Sequence, residues 1–469
     1  MEQLELREIQ GFLLREYKER KCSKYFLLQV TDGNNAKKFI SEIAESITNA
    51  DDEIKDSCIN IGFTSQGLRS LGMHENNLQS FIREFREGMV TPHRQRLLGD
   101  HDSSDPKNWN WGGPANEEVD IILMAFTFDK EAMNTYDKSL TEKLEQYGLK
   151  KVFQLDGQIL PEGRENFGFK DGISQPAIIG SGTIGIRNNN IKPGEFLLGY
   201  KNEYGVYPDT PLLKENQGNV NMLPLDEGGT GHKDLGRNGT FFVLRQLKED
   251  VNGFWNFLND KTKNDDGSVN AEESVKIAAK MMGRWPGGAP LVKFPDKDPG
   301  ITSDDDDFNY IDTDKHGLKC PFGAHIRRTN PRDNFEETGP AESLHLTRKH
   351  RIMRRVRSYG EPFIGSPTHN EPNGEVGLLF GCFNADISRQ FEFIQYTWAN
   401  YPKFKQLYAD PDPFIGVREN PEPGTVQNFT IPQQTANKYI TGLKSFVTVR
   451  GGAYFFFPSI TAIKYLGTI

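Results

Sequence analysis

The chain has 469 residues, of which 26% are charged and 36% hydrophobic, and its formal net charge is −9. This composition is typical of a folded globular protein of two or three domains. The negative charge argues against nucleic acid as a partner, because phosphate binding requires a basic surface. The best apolar run, 119–128, contains Asp120 and is too short to span a membrane. The N-terminus has acidic residues and no apolar signal region, so we predict a cytoplasmic protein.

The first part of the chain alternates strand-like and helical patterns. Strands are predicted at 11–16, 25–30, 58–64 and 119–128, and helices at 36–49 and 130–147. The order strand, helix, strand, strand, helix is that of a ferredoxin-like α+β unit. The region 180–237, rich in Gly, Pro and Asn, is too long for a linker and is expected to be a surface excursion.

The second part repeats this order of elements. Asn238-Gly239 is a hairpin-type turn before a strand at 240–247, and a helix carrying Phe254 and Trp255 follows. A buried strand is predicted at 377–383, a helix at 387–401 and a closing strand at 446–458. No residue-level repeat links the two parts, so an internal duplication is only a hypothesis. The four cysteines form no CxxC pair and are expected to be buried free thiols.

The segment CPFGAHIRRTNPRD, residues 320–333, is the densest in chemically active side chains. His325 stands among small and apolar residues, which is also typical of a histidine buried in a core. The arginines that follow it favour another interpretation, because a haem site needs an imidazole for iron and guanidinium groups for the two propionates. An apolar wall is available at 377–380, where strand alternation places Leu378 and Phe380 on one face.

Asp171 raises a similar choice in FGFKDGISQP, residues 167–176. Asp-Gly is a common turn dipeptide, because Gly accepts positive φ and Asp hydrogen-bonds to nearby backbone. Further along, KHRIMRRVRSYG brings four arginines within seven residues, and at least one of them could point inward. Neither segment by itself shows whether its charged residues are structural or catalytic.

Together these segments resemble the dye-decolorizing peroxidases. GFKDG matches the G-x-x-D-G signature of that family, and CPFGAHIRRTNPR is similar to the segment that carries its proximal haem histidine. IQG, NIGFTSQGLRSLG, GRNGTFFVLRQLKEDVNGFW, GRWPGGAPL, GLLF with CFNADI, and FVTVRGGAYFFFP resemble further family blocks in the same chain order. Ala453 is a departure, because the family more often has Glu after Gly-Gly in the closing strand.

The resemblance implies an α+β fold of two ferredoxin-like domains, antiparallel sheets covered by helices, at 1–160 and 161–469. One non-covalent haem b per chain would lie in the C-terminal domain, with His325 as the axial ligand of iron. Asp171 and Arg354 would be the catalytic residues on the distal side, and Arg332 would contact a propionate. The resemblance also assigns haem contacts to Ile173, Ser174, Gln175, Leu378 and Phe380. Asp386 would be the acidic partner of the proximal imidazole, although a helix N-cap explains it equally well.

The implied activity is peroxide reduction with one-electron oxidation of dyes, anthraquinone or azo, and of phenols. Peroxide must move a proton from its inner to its outer oxygen, which Asp171 could carry while Arg354 stabilises charge. Burial should raise the pKa of Asp171 and Arg354 should lower it, and the sequence leaves open which effect is larger. Bulky donors would react at the surface through Tyr359 or Trp398. Two alternatives remain: a haem-binding or iron-releasing protein without peroxidase turnover, and a non-haem hydrolase or structural protein.

Overall fold

The computed structural model describes residues 3–53, 56–186, 189–335, 339–418 and 427–469. Eight antiparallel strands form a closed barrel. They are β1 Cys22–Val30, β2 Ser57–Phe63, β3 Ile121–Thr127, β4 Leu149–Gln158, β5 Thr240–Glu249, β6 Met353–Tyr359, β7 Gly377–Asn384 and β8 Val447–Phe457.

The barrel consists of two four-stranded sheets with the same topology. The order around the barrel is β1-β3-β2-β8-β5-β7-β6-β4, so each half of the chain places its strands in the ferredoxin-like order 4-1-3-2. Each half therefore contributes one four-stranded sheet of a ferredoxin-like α+β unit, as the sequence predicted. The sheets meet at two narrow seams, where Phe63 of β2 pairs with Phe456 of β8 and Gln158 of β4 pairs with Ser358 of β6.

The longer helices are α1 Gly33–Ile43, α2 Lys130–Leu144, α3 Val251–Lys261 and α4 Ala271–Met282. Each begins at a side chain that accepts a backbone N–H of the first turn, which satisfies one of the otherwise unpaired donors there. These caps are Asp32, Asp129, Asp250 and Asn270. A shorter helix, α5 His325–Thr329, follows in the second half.

Shorter elements complete the described part of the fold. Further helices are Gly11–Leu14, Ser65–Ser70, Glu75–Leu78, Arg83–Glu87, Pro92–Leu98, Ile311–Asp314, Pro340–Arg348 and Ile460–Leu466. Three two-stranded sheets pair Ala177–Ile178 with Asn190–Ile191, Leu212–Leu213 with Lys233–Asp234, and Asn428–Ile431 with Lys438–Thr441.

Three local expectations are corrected by the structure. The run GFLL forms a helix, Gly11–Leu14, and not a strand. The predicted helix at 387–401 is wound as two π-helical segments, Ser388–Glu392 and Ile394–Asn400. The region 180–237 is not only a surface excursion, because Phe196, Leu197 and Tyr200 are fully buried in the core cluster inside the barrel.

The barrel interior is filled by inward-facing side chains of both sheets. Tyr25, Phe126, Phe242, Leu379 and Phe457 belong to this one cluster. Because strand residues alternate between faces, the opposite faces of the same strands remain available for the helices and for a site. No helix in the described ranges is long and apolar enough to cross a membrane. Cys58, Cys320 and Cys382 are buried free thiols, and Cys22 is partly buried.

Candidate active site

A cavity of about 270 Å³ lies between the sheet of the second half and the segments that cover it. The sheet side is formed by alternate residues of all four strands, which all point away from the barrel interior. They are Arg245, Leu247, Glu249, Arg354, Val356, Leu378, Phe380, Val447 and Val449. Leu378 and Phe380 therefore share a face and line one wall, as their spacing predicted. The cover includes α5, the loop 165–174, residues 414–418 and, from the first half of the chain, Leu98–Asp102.

His325 opens α5 and faces this cavity with a defined tautomer. Its Nδ1 lies 2.9 and 3.1 Å from the two carboxylate oxygens of Asp412. Asp412 is fully buried, and its Oδ1 also accepts the backbone N–H groups of Phe414 and Ile415. Burial raises the pKa of Asp412, but the interaction with His325, the charge of Arg328 and the Ile415 N–H together bring the pKa below its usual value. An ionised Asp412 holds the ring proton on Nδ1 and leaves Nε2 as the nitrogen available to a metal.

The partner of the imidazole is therefore Asp412, and the assignment of Asp386 to that role is wrong. Asp386 Oδ1 accepts the backbone N–H of Arg389 at 2.9 Å, and its own N–H donates to Gln390 Oε1. This is the helix N-cap that the local sequence allowed. Asp412 comes from a loop 87 residues away from His325, between two prolines. No periodic or motif signal marks it.

Asp171 and Arg354 form an ion pair at the cavity. Arg354 Nη1 donates to Asp171 Oδ1 at 2.7 Å, and Nη2 donates to the carbonyl oxygen of Ile173 at 2.9 Å. Burial raises the pKa of Asp171, but the Arg354 charge and hydrogen bond and the Gly172 N–H bring it below its usual value. The question that the sequence left open is thus decided in favour of Arg354. The pair supplies one proton acceptor and one fixed cation.

The loop that carries Asp171 is shaped by its glycines. Gly168 has a φ of +102°, and a Cβ there would lie 2.2 Å from the carbonyl oxygen of Gly365. Gly172 has a φ of +78° and would meet no atom within 4 Å. The turn interpretation of Asp171-Gly172 is therefore correct for the backbone, while the Asp171 carboxylate faces the cavity.

The three residues after Gly172 differ in position. Ile173 and Ser174 line the cavity. Gln175 does not line it: its Oε1 accepts the backbone N–H of Arg354 at 3.2 Å, so its side chain supports the strand behind the site. Gln175 thus lies outside the cavity lining, and its contact with the cofactor stays a prediction.

A group of arginines surrounds one buried aspartate at another part of the wall. Arg284 and Arg332 both pair with Asp306, and Arg351 donates to Asn189 Oδ1 and to the carbonyl oxygen of Ser174. All three arginines line the cavity. Three guanidinium groups around a single carboxylate leave an excess of positive charge, which suits anionic groups of a ligand.

The two aromatic residues considered as relays lie outside the cavity wall. Tyr359 ends β6 and donates its hydroxyl to Glu375 Oε1 at 3.0 Å. Burial and the Glu375 charge raise its pKa. Trp398 is buried, at 5% exposure, and its ring lies 5.2 Å from that of His350, which lines the cavity.

The residues present fit a haem group. His325 offers Nε2 beside an ionised carboxylate, Leu378 and Phe380 offer an apolar wall, and the arginines around Asp306 offer partners for propionates. An Asp–Arg pair at the same cavity leaves a polar position for a small reactant.

Comparisons with known proteins agree with this geometry. A sequence model described as the DyP dimeric alpha+beta barrel domain matches residues 8–161. A dye-decolorizing peroxidase of Exidia glandulosa is 30% identical over 422 residues, covering 86% of this chain and 74% of the relative. The multifunctional dye peroxidase DyP2 of an Amycolatopsis species is 28% identical, covering 87% of this chain and 82% of the relative.

Solved structures show the same fold. A DyP-type peroxidase from an Anabaena species superposes with a TM-score of 0.77 at 25% identity, covering 98% of this chain and 94% of the other. The sequence similarity, the shared fold, and the placement of His325 and the Asp171–Arg354 pair at one cavity all point to the same family. The chain belongs to the dye-decolorizing peroxidase family and is a peroxidase, an oxidoreductase that uses peroxide.

Proposed function

We propose that this protein binds one non-covalent haem b and uses it to reduce hydrogen peroxide while oxidising dyes and phenols in one-electron steps. The observation that carries the proposal is that His325, held by the buried Asp412, and the Asp171–Arg354 pair line the same cavity. His325 Nε2 would bind iron, and Arg332 and its neighbours around Asp306 would hold propionates. When bound, haem supplies the electrons with which the peroxide O–O bond is cleaved.

The distal pair performs the proton chemistry in this proposal. Asp171 is ionised because Arg354 lowers its pKa, so it can accept the proton of the inner peroxide oxygen. It then donates that proton to the outer oxygen, which leaves as water. Arg354, held by Asp171 and Ile173, stays charged and stabilises the negative charge that develops during cleavage.

Donors too large for the cavity would be oxidised at the surface. Trp398 packs against His350, which is part of the cavity wall, and this contact favours Trp398 over Tyr359 as a relay residue. Both assignments are part of the proposal. We also propose that the two ferredoxin-like domains divide near residue 160, after β4 ends at Gln158.

The absorption spectrum of the purified protein with haem tests the proposal. We expect a Soret band that changes when one equivalent of peroxide is added, and His325→Ala should strongly reduce haem retention in the folded protein. His93→Ala, which replaces a histidine outside the cavity lining, is the matched control. Haem binding with only slow peroxide reaction would instead support a haem carrier, and no Soret band would contradict both assignments.

A further inference from the structure

Two buried glutamates line the same cavity and have no role in the peroxide step. Glu165 is 7% exposed and Glu249 is 5% exposed, and both contribute to the cavity wall. Glu165 lies in the loop that leads to Asp171, and Glu249 is the last residue of β5. Within the described ranges, neither forms an ion pair.

Hydrogen bonds hold both glutamate side chains to the loop that leads to Asp171. Glu165 Oε2 accepts the N–H of Phe167 at 2.7 Å, and Oε1 accepts that of Phe169 at 2.9 Å. Asn166, the next residue after Glu165, donates its Nδ2 to Glu249 Oε2 at 2.7 Å. The carboxyl groups therefore stand in fixed positions on either side of one asparagine.

The cationic groups along this cavity are already engaged by other partners. Arg245 pairs with Asp100, Lys170 with Asp304, Arg284 and Arg332 with Asp306, Arg354 with Asp171, and His325 with Asp412. Arg351 donates to Asn189 Oδ1 and the Ser174 carbonyl oxygen, and Arg418 donates to the carbonyl oxygens of Pro411 and Asp412. Two neighbouring buried carboxyl groups without a cation cannot both ionise at moderate cost. At least one of them is therefore expected to carry a proton.

The pKa directions agree with this argument. Burial raises the pKa of Glu165 to about 8, and repulsion by Asp171 adds to the effect of burial. Burial and the charge of Glu165 raise the pKa of Glu249 well above its usual value. Asp171 has the opposite shift, so a proton at this cavity is held by the glutamates while Asp171 is ionised.

The chemistry of the reaction requires such protons. Reduction of one peroxide to two waters consumes two electrons and two protons. A phenol oxidised at the surface gives its electron through the protein but releases its proton to solvent there. The first water leaves with both protons of the peroxide. The two protons that complete the second water must therefore reach the cavity by another route.

We propose that Glu165 and Glu249 form a proton store that delivers these protons through Asp171 after each electron arrives. This inference rests on the proposed peroxidase function. The pair releases one proton per electron and is reprotonated from solvent before the next. In this scheme Asp171 touches the reactants, and Glu165 and Glu249 act through it.

Glu249→Gln is the informative variant, because the amide oxygen can still accept from Asn166 while the exchangeable carboxyl proton of Glu249 is lost. In infrared spectra of the holoenzyme at neutral pH, wild type should show protonated carboxyl absorption that shifts in D₂O, and the variant should lose the part of it that Glu249 contributes. After oxidation by one equivalent of peroxide, reduction by a phenolic donor should be slowed about tenfold or more in the variant, with the alkaline limb of its pH profile displaced.

The peroxide step separates this inference from the proposed function. Glu249→Gln should react with peroxide within about twofold of wild type, because Asp171 and Arg354 are retained. Glu117→Gln, which removes an exposed carboxylate paired with Lys150, is the matched control and should change neither band nor rate. If Glu249→Gln does not retain haem, Glu165→Gln replaces it in both measurements. If the variant has the carboxyl absorption and the reduction profile of wild type, the proposed proton store is contradicted.

Discussion

At the scale of single residues, the Asp171–Arg354 pair places one negative and one positive charge side by side at the cavity. The carboxylate is ionised because the guanidinium beside it outweighs burial. The guanidinium is held in turn by that carboxylate and by the Ile173 carbonyl. Each residue therefore fixes both the position and the charge state of the other, and replacing either should affect chemistry more than folding.

Removal of Arg354 tests its electrostatic role. We expect Arg354→Leu to slow the reaction with peroxide by about 10² or more, the usual loss for one charge-stabilising donor. Stopped-flow mixing with peroxide measures this rate. Arg83→Leu removes an exposed arginine paired with Glu87 and should leave the rate unchanged. If Arg354→Leu reacts with peroxide as fast as the parent protein, the role of this arginine is structural.

The pH dependence of the peroxide step follows from the pKa of Asp171. Because this pKa lies below the ordinary value of about 3.9, the carboxylate accepts a proton even near pH 4, where an imidazole is protonated. The parent rate should therefore fall only when the pH drops through the lowered pKa, and dye turnover should favour acidic pH. Asp171→Asn should lower the rate and flatten the acidic limb, which lies below about pH 3.9, and stopped-flow mixing with peroxide from about pH 3 to about pH 8 measures both effects.

If Asp171→Asn keeps both the rate and the pH profile of the parent protein, the Asp171 side chain serves only the turn. The proton would then have to move through Arg354 or solvent.

At the scale of elements, α5 is useful only in combination with the loop that carries Asp412. A helix of five residues places His325 at the cavity, but the loop 410–416 sets the tautomer of its ring. The polar contacts that hold Asp412 are backbone N–H groups of that same loop. The binding of iron therefore depends on two segments that are distant in the chain.

Asp412→Asn should separate this role from that of Asp386. The amide would present N–H to Nδ1 and favour the tautomer with a proton on Nε2, so we expect haem retention to fall by about 10- to 100-fold. Titration with haem measures it. Asp386→Ala should instead cost about 1 kcal/mol of stability through loss of the N-cap, with haem affinity unchanged. The reverse pattern would restore Asp386 as the partner.

At the scale of the whole molecule, the two sheets share one core. Side chains of all eight strands meet in the cluster inside the barrel, whereas backbone pairing between the sheets is limited to one residue pair at each seam. Side-chain packing, and not hydrogen bonding, therefore holds the two domains together. In addition, Asp100 of the first half pairs with Arg245 of the second at the cavity wall.

We expect the two halves to unfold together. Separation of the sheets would expose Phe126, Phe242 and Phe457 to water, at a cost of about 1.5–3 kcal/mol for each fully buried side chain. Calorimetry should show one cooperative transition, and residues 1–160 expressed alone should lack one. Phe242→Ala should lower the whole transition, whereas Phe128→Ala, on an exposed phenylalanine, should not. Two separate transitions would contradict a shared core.

Local pattern by itself determined the order of elements and several site residues. The alternation of Leu378 and Phe380 and the helix around Phe254 depend on neighbours in the chain, which is why they were predictable. The family resemblance of the His325 and Asp171 segments singled out residues that do line the cavity. Such segments keep their local geometry because glycines and short-range hydrogen bonds impose it.

Only the tertiary structure decided which distant groups meet. Asp412 reaches His325 from a proline-flanked loop, Glu249 accepts a hydrogen bond from Asn166, and Gln175 turns towards the Arg354 backbone. The helix at Gly11–Leu14 and the buried Phe196 likewise depend on packing against the barrel. Burial, pKa and hydrogen-bond partners are set by contacts between residues far apart in sequence, and no local pattern records those contacts.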